Sequence, residues 1–170
     1  MPGTEFPLAE TIYDVAIIGS GPAGYTAAIR AGQLGLKVAL IERTDKLGGT
    51  CLHVGCIPTK ALLFNAELWD HLKEAKEFGI EGVRARKLNW AAIQDRKNKI
   101  VTKHTKGLDF LMKKNKINAI KGYGRLTGPA KDGVHTIEVK LADGKTETVK
   151  AKKVVLATGS DARIDRKSVV

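Results

Sequence analysis

Two short apolar runs flank one helical pattern near the start of the chain. Ile12–Ile18 is mostly apolar and β-branched, which predicts a buried strand. Tyr25–Leu34 carries alanines that permit close packing of a helix, and Gly35 ends that helix. Lys37–Ile41 is again apolar and predicts a second strand, which ends at Glu42. The succession of strand, helix and strand favours an α/β fold with a parallel sheet.

The middle of the chain changes to a longer hydrophobic period. Lys60–Glu77 and Asn89–Lys116 repeat apolar residues at roughly the spacing of a helix, with polar and basic residues between them. Asn89 is a suitable N-cap, and the glycines of Phe78–Gly82 interrupt the pattern. We therefore expect two long helices joined by a short loop.

The last third of the chain shows the period of two that is typical of β-strands. Thr136–Leu141 and Thr146–Val149 alternate polar and apolar residues around an Asp-Gly turn signal, which predicts a small antiparallel meander. Ile117–Ile120 precedes the meander as a third strand, and Lys153–Ser160 follows it as a further buried strand. The pattern thus adds a small antiparallel unit to the parallel sheet.

The turn between the first strand and the first helix carries the first candidate chemistry. Gly19–Gly24 reads G-x-G-x-x-G, and Glu42 lies at the end of the next strand, 18 residues after the last glycine. Strand, spacing and acid together form a dinucleotide-binding fingerprint. The glycines let a pyrophosphate approach the helix N-terminus, and Glu42 is expected to accept hydrogen bonds from a ribose. The alternative is a glycine-rich turn followed by a glutamate that faces solvent.

A glycine-rich stretch at residues 48–60 contains both cysteines of the chain, Cys51 and Cys56. Residues five apart in an ideal helix have Cα atoms about 8.6 Å apart, whereas a disulfide requires less than about 7 Å. A bridge therefore requires a distorted turn, which Gly55 is placed to permit. Because a strained and accessible disulfide is reduced readily, we interpret the pair as redox-active. Two unrelated buried thiols are the alternative.

The same stretch, Gly48–Lys60, resembles the active-site signature of the flavoprotein disulfide reductases, a G-G-T-C-x-N-x-G-C-x-P-[ST]-K pattern. Leu52 and the run Gly55–Pro58 are more similar to the dihydrolipoamide dehydrogenases of that family than to glutathione or mercuric reductases. His53 departs from the pattern, since the family usually has asparagine there. A histidine can still form hydrogen bonds, but its charge can change near neutral pH.

The order of the predicted elements resembles the FAD domain of that family. The resemblance implies an α/β, Rossmann-like FAD-binding fold of three layers, with a parallel sheet plus a small antiparallel meander. Residues 11–162 would form this FAD-binding domain, between an N-terminal tail, 1–10, and a C-terminal tail, 163–170. The NAD-binding domain, the interface domain and the last FAD-domain strand of the family have no counterpart in the sequence. The chain is therefore expected to be a truncated part of such an enzyme.

The resemblance also assigns roles to residues. Cys51 and Cys56 would be catalytic, Cys51 as the thiol that exchanges with substrate and Cys56 as the thiolate against the flavin. Lys60 would stabilise negative charge near the reactive edge of the flavin. No metal site is expected, and His71 and His104 are interpreted as ordinary surface histidines. The cofactor-binding residues would be Gly19, Ser20, Gly21, Pro22, Ala23, Gly24, Glu42, Arg43, Gly48, Gly49, Thr50, Cys51, Cys56, Lys60, Gly124, Ala157, Thr158, Gly159 and Ser160.

The implied function is transfer of electrons from a dithiol, through Cys51–Cys56 and FAD, to NAD. Dihydrolipoamide or another dithiol would be the substrate, and the full-length enzyme would be a homodimer within a 2-oxoacid dehydrogenase complex. The chain alone is expected to retain FAD weakly, to associate, and not to oxidise dihydrolipoamide with NAD. The alternatives are a related disulfide or mercuric reductase fragment, and a non-catalytic flavin-binding or partner-docking fragment.

Composition and charge bear on the kinds of partner and on the cellular location of the protein. The net charge of +11 is spread along the chain: residues 1–60 carry five basic and five acidic groups, residues 61–116 carry 13 and seven, and residues 117–170 carry 11 and six. Such dispersed charge argues against a nucleic-acid partner. No apolar run has the length of a membrane span, and Met1–Thr11 lacks the pattern of a secretory signal. We therefore expect a cytoplasmic protein without a membrane partner.

Overall fold

A computed structural model describes residues 11–83 and 87–161. Both predicted tails, 1–10 and 163–170, lie outside the described residues. The elements, in chain order, are β1 (Ile12–Ile18), α1 (Pro22–Gln33), β2 (Val38–Glu42), α2 (Gly49–His53), α3 (Cys56–Lys73), α4 (Trp90–Lys114), β3 (Asn118–Lys121), β4 (Tyr123–Leu126), β5 (His135–Lys140) and β6 (Thr146–Leu156).

One six-stranded sheet, in the order β3-β2-β1-β6-β5-β4, connects the whole domain. The strands β3, β2, β1 and β6 are parallel to one another, as the strand–helix–strand pattern predicts. The strands β6, β5 and β4 are antiparallel and form the meander. The carboxyl ends of β1, β2 and the parallel part of β6 meet at one edge, which is where ligands bind in open α/β sheets.

The prediction of two separate strands at Thr146–Val149 and Lys153–Ser160 was wrong. Both belong to the 11-residue strand β6, which ends at Leu156. The first half of β6 pairs with β5, and the second half pairs with β1, with both partners present at Ala151. The strand changes its partner without a break, so it carries the chain directly from the meander into the parallel sheet.

The parallel sheet is covered on both faces, which gives the three layers that were predicted. Alternate residues of each strand point to opposite faces, so each strand contributes to two cores. The meander covers one face, where the buried residues are Ala16, Ile18, Ala39, Ile41, Ile137, Val139, Val149 and Ala151. The helices cover the other face, where the buried residues are Ile17, Ala28, Val38, Leu40, Leu52, Leu108, Met112 and Ile117.

The ends of several helices differ from the predictions. Helix α1 begins at Pro22 rather than Tyr25, because proline fits the first turn, where its missing N–H is not needed. Helix α3 begins at Cys56 rather than Lys60, which makes Pro58 its third residue. The proline is tolerated there because the first four N–H groups of a helix have no partner within the helix. Strand β4 was not predicted. Its sequence is Tyr-Gly-Arg-Leu, in which apolar and polar residues do not alternate, so it gives little period-two signal.

Candidate functional site

The turn between β1 and α1 is shaped by glycines that approach backbone closely. Gly19 has a φ of +100°, and a Cβ there would collide with the carbonyl oxygen of Ala157 at the end of β6. A Cβ on Gly24 would collide with the carbonyl oxygen of Gly19. By contrast, a Cβ on Gly21, the N-cap of α1, would meet no atom within 4 Å. The turn thus brings the helix N-terminus close to the sheet and leaves open space beside Gly21.

Glu42, at the end of β2, is buried and lies beneath this turn. Its Oε2 accepts hydrogen bonds from the Ser20 backbone N–H at 2.9 Å and from the Ser20 Oγ at 2.6 Å. Its Oε1 accepts from the Thr44 backbone N–H at 2.9 Å and from the Thr44 Oγ1 at 3.0 Å. Burial alone would raise the pKa of this carboxyl, but the four donors from Ser20 and Thr44 outweigh burial and hold the pKa below its usual value.

The redox stretch forms two helices with a break between them. Helix α2 ends at His53 and α3 begins at Cys56, while Gly55 adopts a φ of −119° and a ψ of −112°. This break brings the Cα atoms of Cys51 and Cys56 within 4.6 Å, far less than an unbroken helix would allow. A disulfide joins the two cysteines, which confirms the predicted pair and the distorted turn at Gly55.

His53, the departure from the family pattern, connects α2 to the loop before it. Its Nε2 lies 2.9 Å from the Leu47 carbonyl oxygen, so this nitrogen carries the hydrogen and donates. Leu47 packs against the helical core. The histidine therefore keeps a hydrogen-bonding role at a position where the family usually has asparagine.

A cavity of about 1080 Å³ lies over the carboxyl edge of the sheet, between the β1–α1 turn, the disulfide and the start of β4. Ligand sites in proteins typically enclose about 300–1,000 Å³, so this cavity suits a large ligand such as a dinucleotide. It brings together most of the residues predicted from the sequence. These are Gly19, Ser20, Gly21, Pro22, Glu42, Arg43, Gly49, Thr50, Cys51, Cys56, Gly124, Ala157, Thr158, Gly159 and Ser160.

Four predicted residues do not line the cavity. Ala23 and Gly24 lie inside the first turn of α1, where Gly24 packs against Gly19. Gly48 is buried at the N-cap of α2, and a Cβ there would collide with the side chain of Leu52. Lys60 is exposed and lies one helical turn beyond Cys56, outside the cavity lining.

The cavity also has walls that the sequence reasoning missed. Gly122 was passed over although a Cβ there would lie 2.8 Å from the Lys140 carbonyl oxygen. Asp161 lies 3.4 Å from the Arg43 guanidinium, a pairing across 118 residues that no local pattern shows. The missed lining residues are Ile18, Ile41, Thr44, Asp45, Lys46, His53, Val54, Gly55, Val101, Gly122, Tyr123 and Asp161.

The residues of the cavity fit an FAD. The N-terminus of α1 offers free N–H groups and the positive end of the helix dipole to a pyrophosphate, and the space beside Gly21 admits it. Gly124 of β4 lies over Ile41 and Ile18, since a Cβ there would come within 3.0 Å of the Ile41 side chain. The meander can therefore approach the sheet closely, and the disulfide lines the same cavity.

The described residues show neither a metal-binding group nor a membrane-spanning helix. Within residues 11–83 and 87–161, no group of three or more His, Cys, Asp or Glu side chains is placed to hold a metal ion. None of the helices in those ranges has both the length and the apolar character that crossing a membrane requires.

A dinucleotide fingerprint and a disulfide line one cavity, which is the combination that the resemblance to the flavoprotein disulfide reductases predicts. Comparison with known families agrees, because the sequence profile described as pyridine nucleotide-disulphide oxidoreductase matches residues 13–166. The chain belongs to this family. It is a flavoprotein family of oxidoreductases, and the match covers nearly the whole chain.

Individual relatives are similar over most of the chain. Dihydrolipoyl dehydrogenase 3 of Pseudomonas putida is 50% identical over 150 residues, which is 88% of this chain and 31% of the relative. Dihydrolipoyl dehydrogenase of Bacillus subtilis is 47% identical over 169 residues, which is 94% of this chain and 35% of the relative. Leghemoglobin reductase of Vigna unguiculata is 44% identical over 165 residues, which is 92% of this chain and 30% of the relative.

A solved structure supports the fold. The crystal structure of LpdA from Mycobacterium tuberculosis matches with a TM-score of 0.78 at 28% sequence identity. The match covers 88% of this chain and 32% of that one. The chain thus spans about a third of the length of its relatives, and the resemblance to dihydrolipoyl dehydrogenases predicted from the sequence is confirmed over that third.

Proposed function

We propose that this chain is the FAD- and disulfide-bearing part of a dihydrolipoamide dehydrogenase-like oxidoreductase. One observation carries the proposal: the Cys51–Cys56 disulfide and the dinucleotide fingerprint open onto the same cavity. A dithiol that reaches the disulfide from outside would thus be in line with a dinucleotide bound on the other side. The similarity to dihydrolipoyl dehydrogenases supports dihydrolipoamide as the dithiol.

The cysteine pair would work by thiol–disulfide exchange. A thiolate of the substrate attacks one sulfur of Cys51–Cys56, which breaks that disulfide, forms a mixed disulfide and releases the other cysteine as thiolate. The second substrate thiol then attacks the mixed disulfide. The substrate leaves as a cyclic disulfide, and Cys51 and Cys56 remain as two thiols that hold the two electrons. The two protons of the substrate thiols pass, through solvent or a nearby base, to the two cysteines.

The roles of the two sulfurs are proposed from the family resemblance, with Cys51 exchanging with substrate and Cys56 facing the flavin. In the described chain Cys51 is half-buried and Cys56 is exposed. Burial in the protein part alone does not separate the roles, since a bound FAD and any further protein would cover one of the sulfurs. The assignment therefore depends on a test that distinguishes the thiols.

FAD would supply a two-electron acceptor for the cysteine pair. The N-terminus of α1 would hold its pyrophosphate, Glu42 would lie near a ribose, and Gly124 and Ala157–Ser160 would line the wall opposite. Lys60 is exposed in this structure, so its predicted place near the flavin edge requires its long side chain to reach back along α3.

Completing the cycle requires a nicotinamide site and an acid–base group. We propose that both come from the remaining two thirds of an enzyme of the relatives' length, together with the homodimer and the 2-oxoacid dehydrogenase complex implied by the resemblance. This chain alone would accept electrons from a dithiol without reducing NAD. Its cytoplasmic location is likewise part of the proposal.

The test is the anaerobic titration of FAD-reconstituted protein with dihydrolipoamide, followed by absorption spectroscopy. The proposal predicts loss of the disulfide, measured by alkylation and mass spectrometry, together with reduction or a long-wavelength change of the flavin spectrum. A flavin that remains oxidised while the disulfide is reduced would contradict it. An assay with NAD beside it should show no NADH formation.

A second candidate is reduction of another acceptor through the same disulfide and flavin. The relatives that carry the name leghemoglobin reductase are as similar to this chain as several dihydrolipoyl dehydrogenases, at 44% identity. The described third of the protein therefore does not distinguish their substrates. Comparing dihydrolipoamide with other dithiols and disulfides in the titration would separate the two candidates.

A further inference from the structure

Ser20 connects three segments of the cavity wall although it is only the variable residue of the G-x-G turn. It is 0% exposed and one of two buried polar or charged residues among those described. Its hydroxyl contacts Glu42 at the end of β2 and the backbone N–H of Gly48 before α2. Its backbone carbonyl accepts a second bond from the same Gly48 N–H at 3.0 Å. The residue thus links the nucleotide-binding turn to the helix that carries Cys51.

The direction of each hydrogen bond at Ser20 is fixed by its partners. A carboxylate only accepts, so the Ser20 hydroxyl must donate to Glu42 at 2.6 Å. A backbone N–H only donates, so the same oxygen accepts from Gly48 at 3.1 Å. Because Glu42 receives two bonds from Ser20 and two from Thr44, its carboxylate orients Ser20 from beneath. A charged acceptor makes this chain of bonds stronger than a neutral one would.

The segment that Ser20 holds is the entrance to the redox helix. Gly48 has a φ of +120° and Gly49 a φ of +62°, conformations that side chains rarely adopt. A Cβ on Gly49 would lie 2.7 Å from the Gly21 Cα, so the two turns touch without any intervening side chain. Cys51 follows two residues later in α2. A shift of the Gly48 amide would therefore move the disulfide relative to the cavity.

We propose that Ser20 is a positioning residue that sets the start of α2 against the nucleotide-binding turn and so couples the cofactor cavity to the Cys51–Cys56 disulfide. Its polar atoms are engaged by Glu42 and Gly48 rather than directed at a ligand. Ser20 also lines the cavity, so the positioning role is proposed beside its predicted place at the cofactor. The coupling rests on the proposed function, but the positioning of α2 does not.

The experiment compares Ser20→Ala with the unmodified chain and with Thr127→Ala. Thr127 is a matched control because its hydroxyl also bonds a backbone atom, the Thr136 carbonyl oxygen at 3.1 Å, but in the meander and outside the cavity. Hydrogen exchange of the peptide covering residues 47–53 is measured without FAD, together with the rate at which dithiothreitol reduces the disulfide. Both measurements are repeated with FAD added.

Without FAD, Ser20→Ala should speed exchange of the 47–53 peptide by roughly three- to tenfold, the effect of the one hydrogen bond that the Gly48 N–H loses. The rate of disulfide reduction should change by a similar factor, while Thr127→Ala changes neither. Exchange and reduction rates equal to those of the unmodified chain would overturn the proposal. Equal changes in Thr127→Ala would also overturn it, since they would indicate a general loss of stability.

FAD separates this proposal from the proposed function. If FAD binds, it should slow exchange at 47–53 in the unmodified chain, and Ser20→Ala should lose most of that added protection. Full added protection in Ser20→Ala would overturn the coupling. If the unmodified chain binds no FAD, the proposed function fails, while the measurements without FAD still decide whether Ser20 positions α2.

A second variant covers the case in which Ser20→Ala does not fold. Glu42→Gln keeps the size of the side chain but places an amide donor among the four donors that now meet the carboxylate. It should speed exchange at 47–53 in the same direction as Ser20→Ala. Unchanged exchange in a folded Glu42→Gln protein would contradict the role of Glu42 in orienting Ser20.

Discussion

The nucleotide half of the molecule, β1 to α2, contrasts with the helical hairpin formed by α3 and α4. In the nucleotide half β2 is buried along its whole length and β1 over its last three residues, and both Ser20 and Glu42 have their polar atoms bonded within the chain. In the helical hairpin large apolar side chains face outward, including Phe64 at 55%, Trp90 at 64% and Phe110 at 63% exposure. Large apolar side chains are exposed in the nucleotide half as well, at Ile12, Leu34 and Leu36, but more of them are exposed on the helical hairpin.

The difference separates contacts that the chain makes within itself from surface that is suited to contact with other protein. The β1–α1 turn and Glu42 are held together by contacts within the nucleotide half, whereas Val101, Gly124 and Ala157–Ser160 complete the cavity wall from α4, β4 and the segment after β6. Exposed apolar surface of the kind seen on the hairpin is typical of protein interfaces. The disulfide lies at the border, with Cys51 in α2 and Cys56 at the start of α3. Its chemistry therefore depends on both regions, and the predictions below act on each in turn.

The largest effect is expected from removing one sulfur at the border. Cys51→Ser leaves no disulfide to exchange, so electron transfer from a dithiol to FAD should be lost completely. FAD binding should persist, because the cavity wall of the nucleotide half is unchanged. Stopped-flow or static anaerobic spectra with dihydrolipoamide measure the first, and a fluorescence titration with FAD measures the second. Retained dithiol reactivity in Cys51→Ser would place the chemistry elsewhere.

Two glycines of the nucleotide half should respond in opposite ways. Gly24→Ala places a Cβ against the Gly19 carbonyl oxygen and should lower the free energy of unfolding by about 3 kcal/mol or prevent folding. Gly21→Ala meets no atom within 4 Å, so the free energy of unfolding should change by less than about 0.5 kcal/mol. Its methyl group should instead weaken FAD binding. Urea unfolding and FAD titration distinguish the pair, and equal stability losses would contradict the described turn.

Glu42 should make the stability of the nucleotide half depend on pH. Its pKa is lowered in the folded protein, since the Ser20 and Thr44 donors outweigh its burial. The stabilisation is therefore present above the unfolded pKa of about 4.3 and is lost as the pH falls through the lower folded pKa. Glu42→Gln should lower the free energy of unfolding by about 1.5–3 kcal/mol at neutral pH, with the difference shrinking in acid.

Urea unfolding of both proteins at several pH values tests the Glu42 prediction. The pKa of Asp14 is also lowered, mainly by its hydrogen bond from Lys152, but both proteins retain that pair. The difference between them therefore isolates Glu42. A difference that stays constant from neutral to acidic pH would show that the charge of Glu42 does not contribute.

The smallest effect is expected in the helical hairpin. Arg96 of α4 donates to the Ala61 carbonyl oxygen of α3 at 3.2 Å and lies 5.3 Å from the centre of the Phe64 ring. Arg96→Ala should lower the free energy of unfolding by about 1 kcal/mol, because both contacts are partly exposed. Lys103→Ala on the same helix is the control, since its exposed side chain should contribute nothing measurable. Thermal unfolding compares them.

Sequence patterns were most informative where local chemistry decides the structure. The Gly19–Gly24 turn, Glu42 and the cysteine pair could be placed because each has a fixed spacing and a physical requirement. The bridging of Cys51 to Cys56 followed from the one glycine able to break the helix, Gly55. These features belong mainly to the nucleotide half and to the border with the hairpin.

What could not be predicted depends on contacts between distant residues. The single strand β6 looked like two because its partner changes from β5 to β1 at Ala151, a tertiary event without a local signal. The Ser20–Glu42 bond joins residues 22 apart, and the Arg43–Asp161 pair joins residues 118 apart. Lys60 was expected at the cavity from the family pattern, whereas in the structure it is exposed and outside the cavity lining.

The central claim is that one cavity joins a bound FAD to the Cys51–Cys56 disulfide. The most direct measurement is an anaerobic spectral titration of the FAD-reconstituted chain with dihydrolipoamide, with Cys51→Ser and Cys56→Ser beside it. The account predicts that the flavin spectrum changes in the unmodified chain and stays oxidised in Cys51→Ser and Cys56→Ser, although all three bind FAD. A flavin reduced by the dithiol equally in all three proteins, or a chain that binds NAD in this cavity and no FAD, would contradict it.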